Sequence, residues 1–365
     1  MGTPPCPRPL SMPRLAFTSA GSDRHHRDCD ALTERGVTIP FVHAPATARH
    51  AGRPDDLWCT LRDDDDAPLA GALVRVDRSR KLPWIRLARV EQVGRLLVAV
   101  DERLEGGTQT LAASLAAATR HLGRLIVQCY SPFATELARQ ELLCGRAGLR
   151  PTAPMGYTRT LRLPLCSDEA QLIRHLSSSA RRNVRALEAS GFVVRPLTDP
   201  ALGPRLQWLL ERAHERTGGV TGRVDWSAML RAAADDPSRS VLLGVFHPHR
   251  PPDAALVGFA QGTVTESAVA YSVAGTERAD DIGRTPLSYA LLWALLRWAA
   301  DAGHAWFDFG GVTPEDEPDS PLAGISSFKR RFGGTECVMA AEWTVAPTAL
   351  SGQLLRAAEG LLARR

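Results

Sequence analysis

The sequence predicts an α/β protein built from two tandem layered units that meet at a cleft. Three observations lead there. The chain has 365 residues, of which 44% are hydrophobic and 23% charged, enough for two cores of ordinary size. Apolar β-branched runs alternate with helical-period segments throughout, the pattern of layered α/β folds. One order of elements, a helix pair, antiparallel strands, an apolar helix and a further strand, recurs in the two halves.

Taken in order, residues 1–32 are rich in Pro, Arg, His and Asp and show no period, so they are expected to be disordered. "RHHR" (Arg24–Arg27) falls in this segment and reads as a solvated tail. Residues 33–163 form the first unit. Strands are expected at 68–76 and 94–100, a helix at 110–122, a strand at 123–130 and a glycine-closed helix at 134–148. A strand at 158–165 leaves the unit. The acidic run Asp63–Asp66 lies between two strand candidates and reads as a hairpin tip.

Residues 164–346 form the second unit. A helix over 168–191 turns Leu172, Leu176, Val184 and Leu187 inward, and helices at 201–218 and 225–234 follow. Strands come next at 240–246, 255–264 and 267–275. The most apolar helix then opens with Thr285 as N-cap and Pro286 in its first turn, and stops at Gly303. A strand over 305–311 follows it, and residues 347–365 read as a C-terminal helix. This order resembles a GNAT-type N-acyltransferase fold repeated in tandem.

Composition narrows the function. A net charge of +4 permits an anionic partner such as RNA without the strong basicity of a dedicated nucleic-acid module. The seven cysteines are scattered with no C-x-x-C pair, which fits reduced thiols in a cytoplasmic protein and no zinc site. No export signal is visible, and the apolar run Pro286–Ala300 is too short to span a bilayer and carries Arg297. No G-x-S-x-G elbow, Walker loop, H-E-x-x-H or Rossmann fingerprint is present. The coenzyme A loop of ordinary GNAT enzymes, Q/R-x-x-G-x-G/A, belongs just before Pro286, where the chain reads "TERADDIGRTP" with the wrong spacing.

Chemistry concentrates near the C-terminus. "FDFGG" (Phe307–Gly311) is followed by an acidic, Pro-rich loop and then "GISSFKRRFGG" (Gly324–Gly334). Of the 44 Lys and Arg residues only Lys81 and Lys329 are lysine, so a lysine retained between Phe328 and two arginines stands out. Ammonium and guanidinium are not interchangeable at a reacting centre. These motifs resemble the C-terminal signature of the Fem-type aminoacyl-tRNA-dependent transferases, within the GNAT superfamily. "SSSARRNVRALEASGFVV" (Ser177–Val194), "AHERTGGVTGR" and the helix–strand segment from Thr285 to Gly311 are similar to three further stretches of that family.

The resemblance implies transfer of an aminoacyl group from the 3′ end of a charged tRNA to a primary amine, on a small metabolite or a peptidoglycan precursor, without a cofactor or metal. It places Phe328 and Lys329 near the acyl-tRNA end. Chemistry assigns compatible roles: Lys329 stabilises the oxyanion, and Phe328 stacks on the terminal adenine. The competing reading makes Phe328 and Phe332 core anchors and turns Lys329 to water. Asp308 either orients the amine or ties down the glycine turn. Arg330 and Arg331 suit phosphate contacts, and Arg181, Arg182 and Arg185 form a basic helix face for tRNA or solvent. Thr217 borders a Gly-rich stretch that either cradles an anion or is a plain loop, and Gly311 closes the strand beside the substrate. An acyl-CoA-dependent N-acyltransferase is the alternative on the same fold, and a non-catalytic RNA-binding protein is a third.

Overall fold

A computed structural model describes residues 13–78, 86–90, 115–116, 124–152, 157–188, 190–217, 222–266, 268–314, 320 and 322–345. Two seven-stranded sheets carry the fold. The expected strand at 94–100 and the expected C-terminal helix at 347–365 lie outside the described residues, as does all but Leu115–Ala116 of the helix expected at 110–122.

The first sheet opens where disorder was expected. Strand β1 (Arg14–Ser19) pairs antiparallel with β2 (Leu57–Arg62), and helix α1 (Asp23–Glu34) packs beneath it, N-capped by Ser22. Polar residues hide this helix from a hydrophobic-period reading, because its buried face is His25, Asp28, Cys29 and Leu32. Each buried polar group there has a partner, as burial requires. His25 stacks on Trp58 with ring centroids 4.2 Å apart and accepts from the Gly21 N–H at 3.0 Å. Burial pushes its pKa down to about 4. Asp28 accepts from Trp58 Nε1 at 3.0 Å and pairs with the buried Arg62. The "RHHR" segment is thus part of a packed helix, and the disorder expected for residues 13–32 gives way to β1 and α1.

A short helix α2 (Pro45–Ala51) leads to the hairpin of β2 with β3 (Pro68–Arg78). The acidic run does sit at the hairpin tip, but Asp66 (φ +63°) also accepts from Arg14 at 2.6 Å and pairs with Arg24. Strand β4 (Arg86–Val90) pairs with β3 antiparallel and with β5 (Arg124–Tyr130) parallel. Helix α3 (Ala134–Arg146) and the short β6 (Arg150–Thr152) follow.

The two units exchange strands, so the expected boundary at 163/164 moves. β7 (Arg159–Pro164), assigned to the first unit by its position in the chain, belongs to the second sheet. The last described strand, β14 (Ala340–Val345), returns from the far end of the chain and inserts between β5 and β6. Neither placement is written in local periodicity.

In the second unit the helix expected over 168–191 is broken. α4 (Glu169–Leu172) and a 3-10 turn at Ile173–His175 precede α5 (Ser178–Glu188). Ser177 causes the break: its N–H donates to the Arg331 carbonyl at 2.8 Å and its hydroxyl accepts from the Ala180 N–H at 3.2 Å. Strand β8 (Val193–Pro196), α6 (Gly203–Thr217) and α7 (Trp226–Asp235) lead to β9 (Ser240–Phe246), β10 (Leu256–Val264) and β11 (Val269–Thr276). Helix α8 (Leu287–Asp301) is buried as expected, with Leu291, Leu292, Leu295 and Leu296 at most 1% exposed. Its cap is Pro286 in place of Thr285, whose hydroxyl bonds back to the Ile282 carbonyl. β12 (Trp306–Gly311), α9 (Ala323–Arg330) and β13 (Thr335–Val338) complete the sheet, in the order β13-β7-β12-β11-β10-β9-β8.

Candidate active site

The site forms where the second sheet opens. β11 and β12 run parallel, and their ladder consists of Val269 opposite Phe307 and Ala270 opposite Asp308. Beyond Ala270 and Asp308 the two strands are unpaired with each other, which leaves a split at their C-terminal ends. Ligands of open α/β sheets bind at such carboxyl ends.

Gly310 shapes one lip. It has φ +69°, and a Cβ there would lie 2.9 Å from the Tyr271 carbonyl oxygen. The Asp308 carboxylate ties this turn by accepting from the Gly310 N–H at 2.8 Å, and it also bonds the Thr160 hydroxyl. Burial raises the Asp308 pKa, and the bonds from Thr160 and Gly310 and the nearby Lys329 charge oppose the rise.

Lys329, in the last turn of α9, points inward with 7% of its surface exposed. Its Nζ donates to the Gly311 carbonyl at 2.7 Å and stands 5.7 Å from the centre of the Tyr271 ring. Burial drives its pKa down to about 8, and the Asp308 carboxylate offsets part of the fall. Tyr157 covers Gly311, where a Cβ would meet the tyrosine ring at 2.3 Å. A methyl placed on Gly310 would come 3.6 Å from both the Lys329 Nζ and the Tyr157 hydroxyl, so the two polar ends converge there. Burial of that end of the side chain raises the Tyr157 phenol to about 12.

Lys329, Asp308 and Gly311 therefore come together, and the reading that turned Lys329 to water fails. The arrangement is a cation with two N–H bonds to spare facing an acidic, tyrosine-lined recess. Phe328 does not share that place. It is half-buried, edge-to-face with Tyr289 at 4.9 Å and with the fully buried Phe332 at 5.5 Å, so its ring packs partly on the core. Arg330 is tied to the Thr313 carbonyl at 2.6 Å and to Glu336 at 2.9 Å. Arg331 is exposed and donates to the Tyr289 hydroxyl at 3.0 Å. Arg181 donates to the Leu176 carbonyl at 2.7 Å, while Arg182 and Arg185 face solvent. Thr217 ends α6, and the Gly-rich stretch 218–221 lies outside the described residues.

The loop before α8 carries Glu277, Asp280 and Asp281 beside Arg278 and Arg284, and it is pinned. Arg250 grips Asp281 with two bonds of 2.7 Å and reaches Glu277 at 3.0 Å, and Arg205 joins Glu277 at 2.6 Å. The Arg250 guanidinium holds the Asp281 carboxyl down to about 2.

A cavity of about 270 Å³ lies between the two units. Gln128, Tyr130 and Pro132 line it from the first unit, and Tyr157, Thr265, Ala270 and Asp308 from the second, with Met339 at the crossing between them. Tyr157, Thr160 and Gln128 carry no motif in the sequence and become site residues through the strand exchange. Among the described residues, no cluster of three or more His, Cys, Asp or Glu is placed to hold a metal, and no helix is long and apolar enough to cross a membrane.

Two sheets, each holding one parallel strand pair, together with a buried helix leading into the opened strand, define a tandem fold of the GNAT N-acyltransferase type. Residues 174–330 match the family described as "Acetyltransferase (GNAT) domain". The fold is similar to the crystal structure of FemX, with a TM-score of 0.65 and 14% identity over 81% of this chain and 89% of that one. It is also similar to the C-terminal domain (DUF2156) of a putative lysylphosphatidylglycerol synthetase from Agrobacterium fabrum, with a TM-score of 0.52 and 12% identity over 92% and 97% of the two chains. A tandem GNAT protein from the clavulanic acid biosynthesis pathway aligns with a TM-score of 0.51 and 14% identity over 91% and 98%. No curated protein matches the chain. At these identities the structural likeness establishes the fold alone.

Proposed function

We propose that this protein transfers an aminoacyl group from the 3′ end of aminoacyl-tRNA to a primary amine, forming an amide. The observation that carries the reading is the buried Lys329 ammonium at the split between β11 and β12, held by the Gly311 carbonyl. An aminoacyl ester is already activated, so most of the rate can come from holding an amine beside it. When the amine adds to the ester carbonyl, the oxygen takes negative charge, and a fixed donor in a water-poor site stabilises that charge strongly. Lys329 supplies the donor. The C–O bond to the ribose then breaks and one proton of the attacking amine reaches the leaving oxygen, while Asp308 takes the proton that the incoming ammonium loses to become that amine. Exposed Arg331, Arg182 and Arg185 offer phosphate contacts for the tRNA strand. Likeness to FemX and the departure of the loop before α8 from the coenzyme A pattern support the same donor.

An acyl-CoA donor is the second reading, and the description of the matching family favours it. One assay separates the two. The purified protein is incubated with radiolabelled aminoacyl-tRNAs and a panel of amines, with and without RNase, and in parallel with acetyl-CoA. Label passing into an RNase-sensitive amide product supports the proposal. Amide formation that survives RNase and needs only acetyl-CoA overturns it.

A further inference from the structure

We infer that the cavity between the two units is an acceptor pocket for a compact, phosphate-free primary ammonium compound such as a small diamine or amino alcohol. Size is the first argument. At about 270 Å³ the cavity is slightly below the roughly 300–1,000 Å³ of pockets that enclose drug-sized ligands. A compact amine can be held within it, whereas a sugar nucleotide would extend beyond it.

Charge is the second. Among the described residues Asp308 is the charged side chain on the lining, and no lysine or arginine joins it. The neighbouring groups offer lone pairs. Gln128 donates one Nε2–H to the buried Glu342 at 2.8 Å and keeps its amide carbonyl as an acceptor. Tyr130 also donates to Glu342, at 3.2 Å, so a second carboxyl group stands one layer behind the wall. Tyr130 and Tyr157 add aromatic faces, which attract an ammonium. An anion entering this recess would lose its water and meet the Asp308 carboxylate and lone pairs on the lining, a cost that the Lys329 ammonium, which is not on the lining, offsets only at the split.

Position is the third argument. Asp308 both lines the cavity and ties the Gly310 turn, and Gly311 carries the Lys329 ammonium. An amine in the cavity is thus delivered to the split where the acyl group would lie. For its chemistry the inference rests on the transferase reading, but occupancy of the pocket does not. In the reaction an ammonium and an ester give an amide, a free hydroxyl and one proton, which leaves through Asp308 to water.

Binding is tested on the full chain without any donor, by calorimetry with 1,4-diaminobutane and, separately, UDP-N-acetylglucosamine as the anionic probe. The diamine is expected to bind and the nucleotide sugar not to. Ala270→Leu, which fills the pocket, and Asp308→Asn, which keeps the size of the side chain and removes its charge, should each weaken the diamine at least tenfold. Should Ala270→Leu fail to fold, Asp308→Asn decides alone. Nucleotide-sugar binding that Ala270→Leu or Asp308→Asn weakens, or diamine binding indifferent to them, overturns the inference. The donor reading fails separately: if the diamine binds and charged tRNA gives no amide, the pocket stands and the donor falls. If charged tRNA acylates phosphate-bearing acceptors while the diamine neither binds nor reacts, the donor stands and the pocket falls.

Discussion

Replacing Lys329 with methionine is expected to abolish transfer and yet stabilise the fold at neutral pH. Folding buries the lysine and lowers its pKa from 10.5 to about 8. At about 1.4 kcal/mol per pKa unit, holding the charged form in the fold costs about 3 kcal/mol below pH 8, to order of magnitude. Methionine removes that cost and fills a similar volume. It also forfeits the bond to the Gly311 carbonyl, a loss of about 1 kcal/mol against the neutral amine. The variant should therefore be more stable at pH 7 by about 2 kcal/mol. The sign reverses with alkali. Between pH 8 and 10.5 the unfolded wild-type chain holds a proton that the folded chain has released, so wild-type stability rises with pH across that window. Above 10.5 the wild type should exceed the variant by about 1 kcal/mol. Urea unfolding followed by circular dichroism at pH 7, 9 and 10.5 reads the difference directly. A variant less stable than wild type at pH 7, with a pH-independent gap, would refute the account of a lysine held at a cost for function.

Four other outcomes follow from the same geometry. Gly310→Ala should cost at least about 2 kcal/mol, because a left-handed alanine is strained and its methyl meets the Tyr271 carbonyl, read as a lowered urea midpoint. Arg162, whose guanidinium lies 4.5 Å from the Phe133 ring of the first unit and 4.7 Å from Trp306 of the second, clamps the units together. Its replacement by alanine should cost about 1–3 kcal/mol in the same assay, only partly restored by lysine. Phe328→Ala should lower stability by about 1–2 kcal/mol, as befits a half-buried ring, with little change in tRNA affinity per folded molecule, since the ring packs on Tyr289 and Phe332, checked by filter binding. The wild-type transfer rate should fall as pH rises through about 8, where Lys329 loses its proton, in single-turnover measurements at saturating substrate.

Much of the second unit was legible because its elements repeat a period. The run from Ser240 to Phe246 is an apolar strand in the structure as in the sequence, and the helix ending at Asp301 is apolar on nearly all sides and buried. Residues 13–32 were misread because α1 buries His25 and Asp28, whose partners Trp58 and Arg62 lie on a strand some thirty residues away. No local pattern announces a polar face that tertiary hydrogen bonds will satisfy. The site divides along the same line. Lys329, Asp308 and Gly311 stood out through an unusual residue choice and a glycine turn, which are chemical signals carried in the chain. For Phe328, spacing i, i+4 with Phe332 marks a shared face without saying whether that face is core or ligand. Tyr157 and Gln128 carry no signal of their own, since they meet only after β7 and β14 have changed sheets.

Lys329→Arg tests the central claim most directly. The substitution keeps the positive charge and removes the compact ammonium that reaches Gly311. Single-turnover transfer from saturating aminoacyl-tRNA, measured on a variant shown to be folded, should fall about 10²–10³-fold, the usual loss of one oxyanion donor. The affinity for charged tRNA should stay unchanged. Transfer at close to the wild-type rate would mean that only charge is needed at this position, and would contradict the assignment of Lys329 as the group that meets the oxyanion.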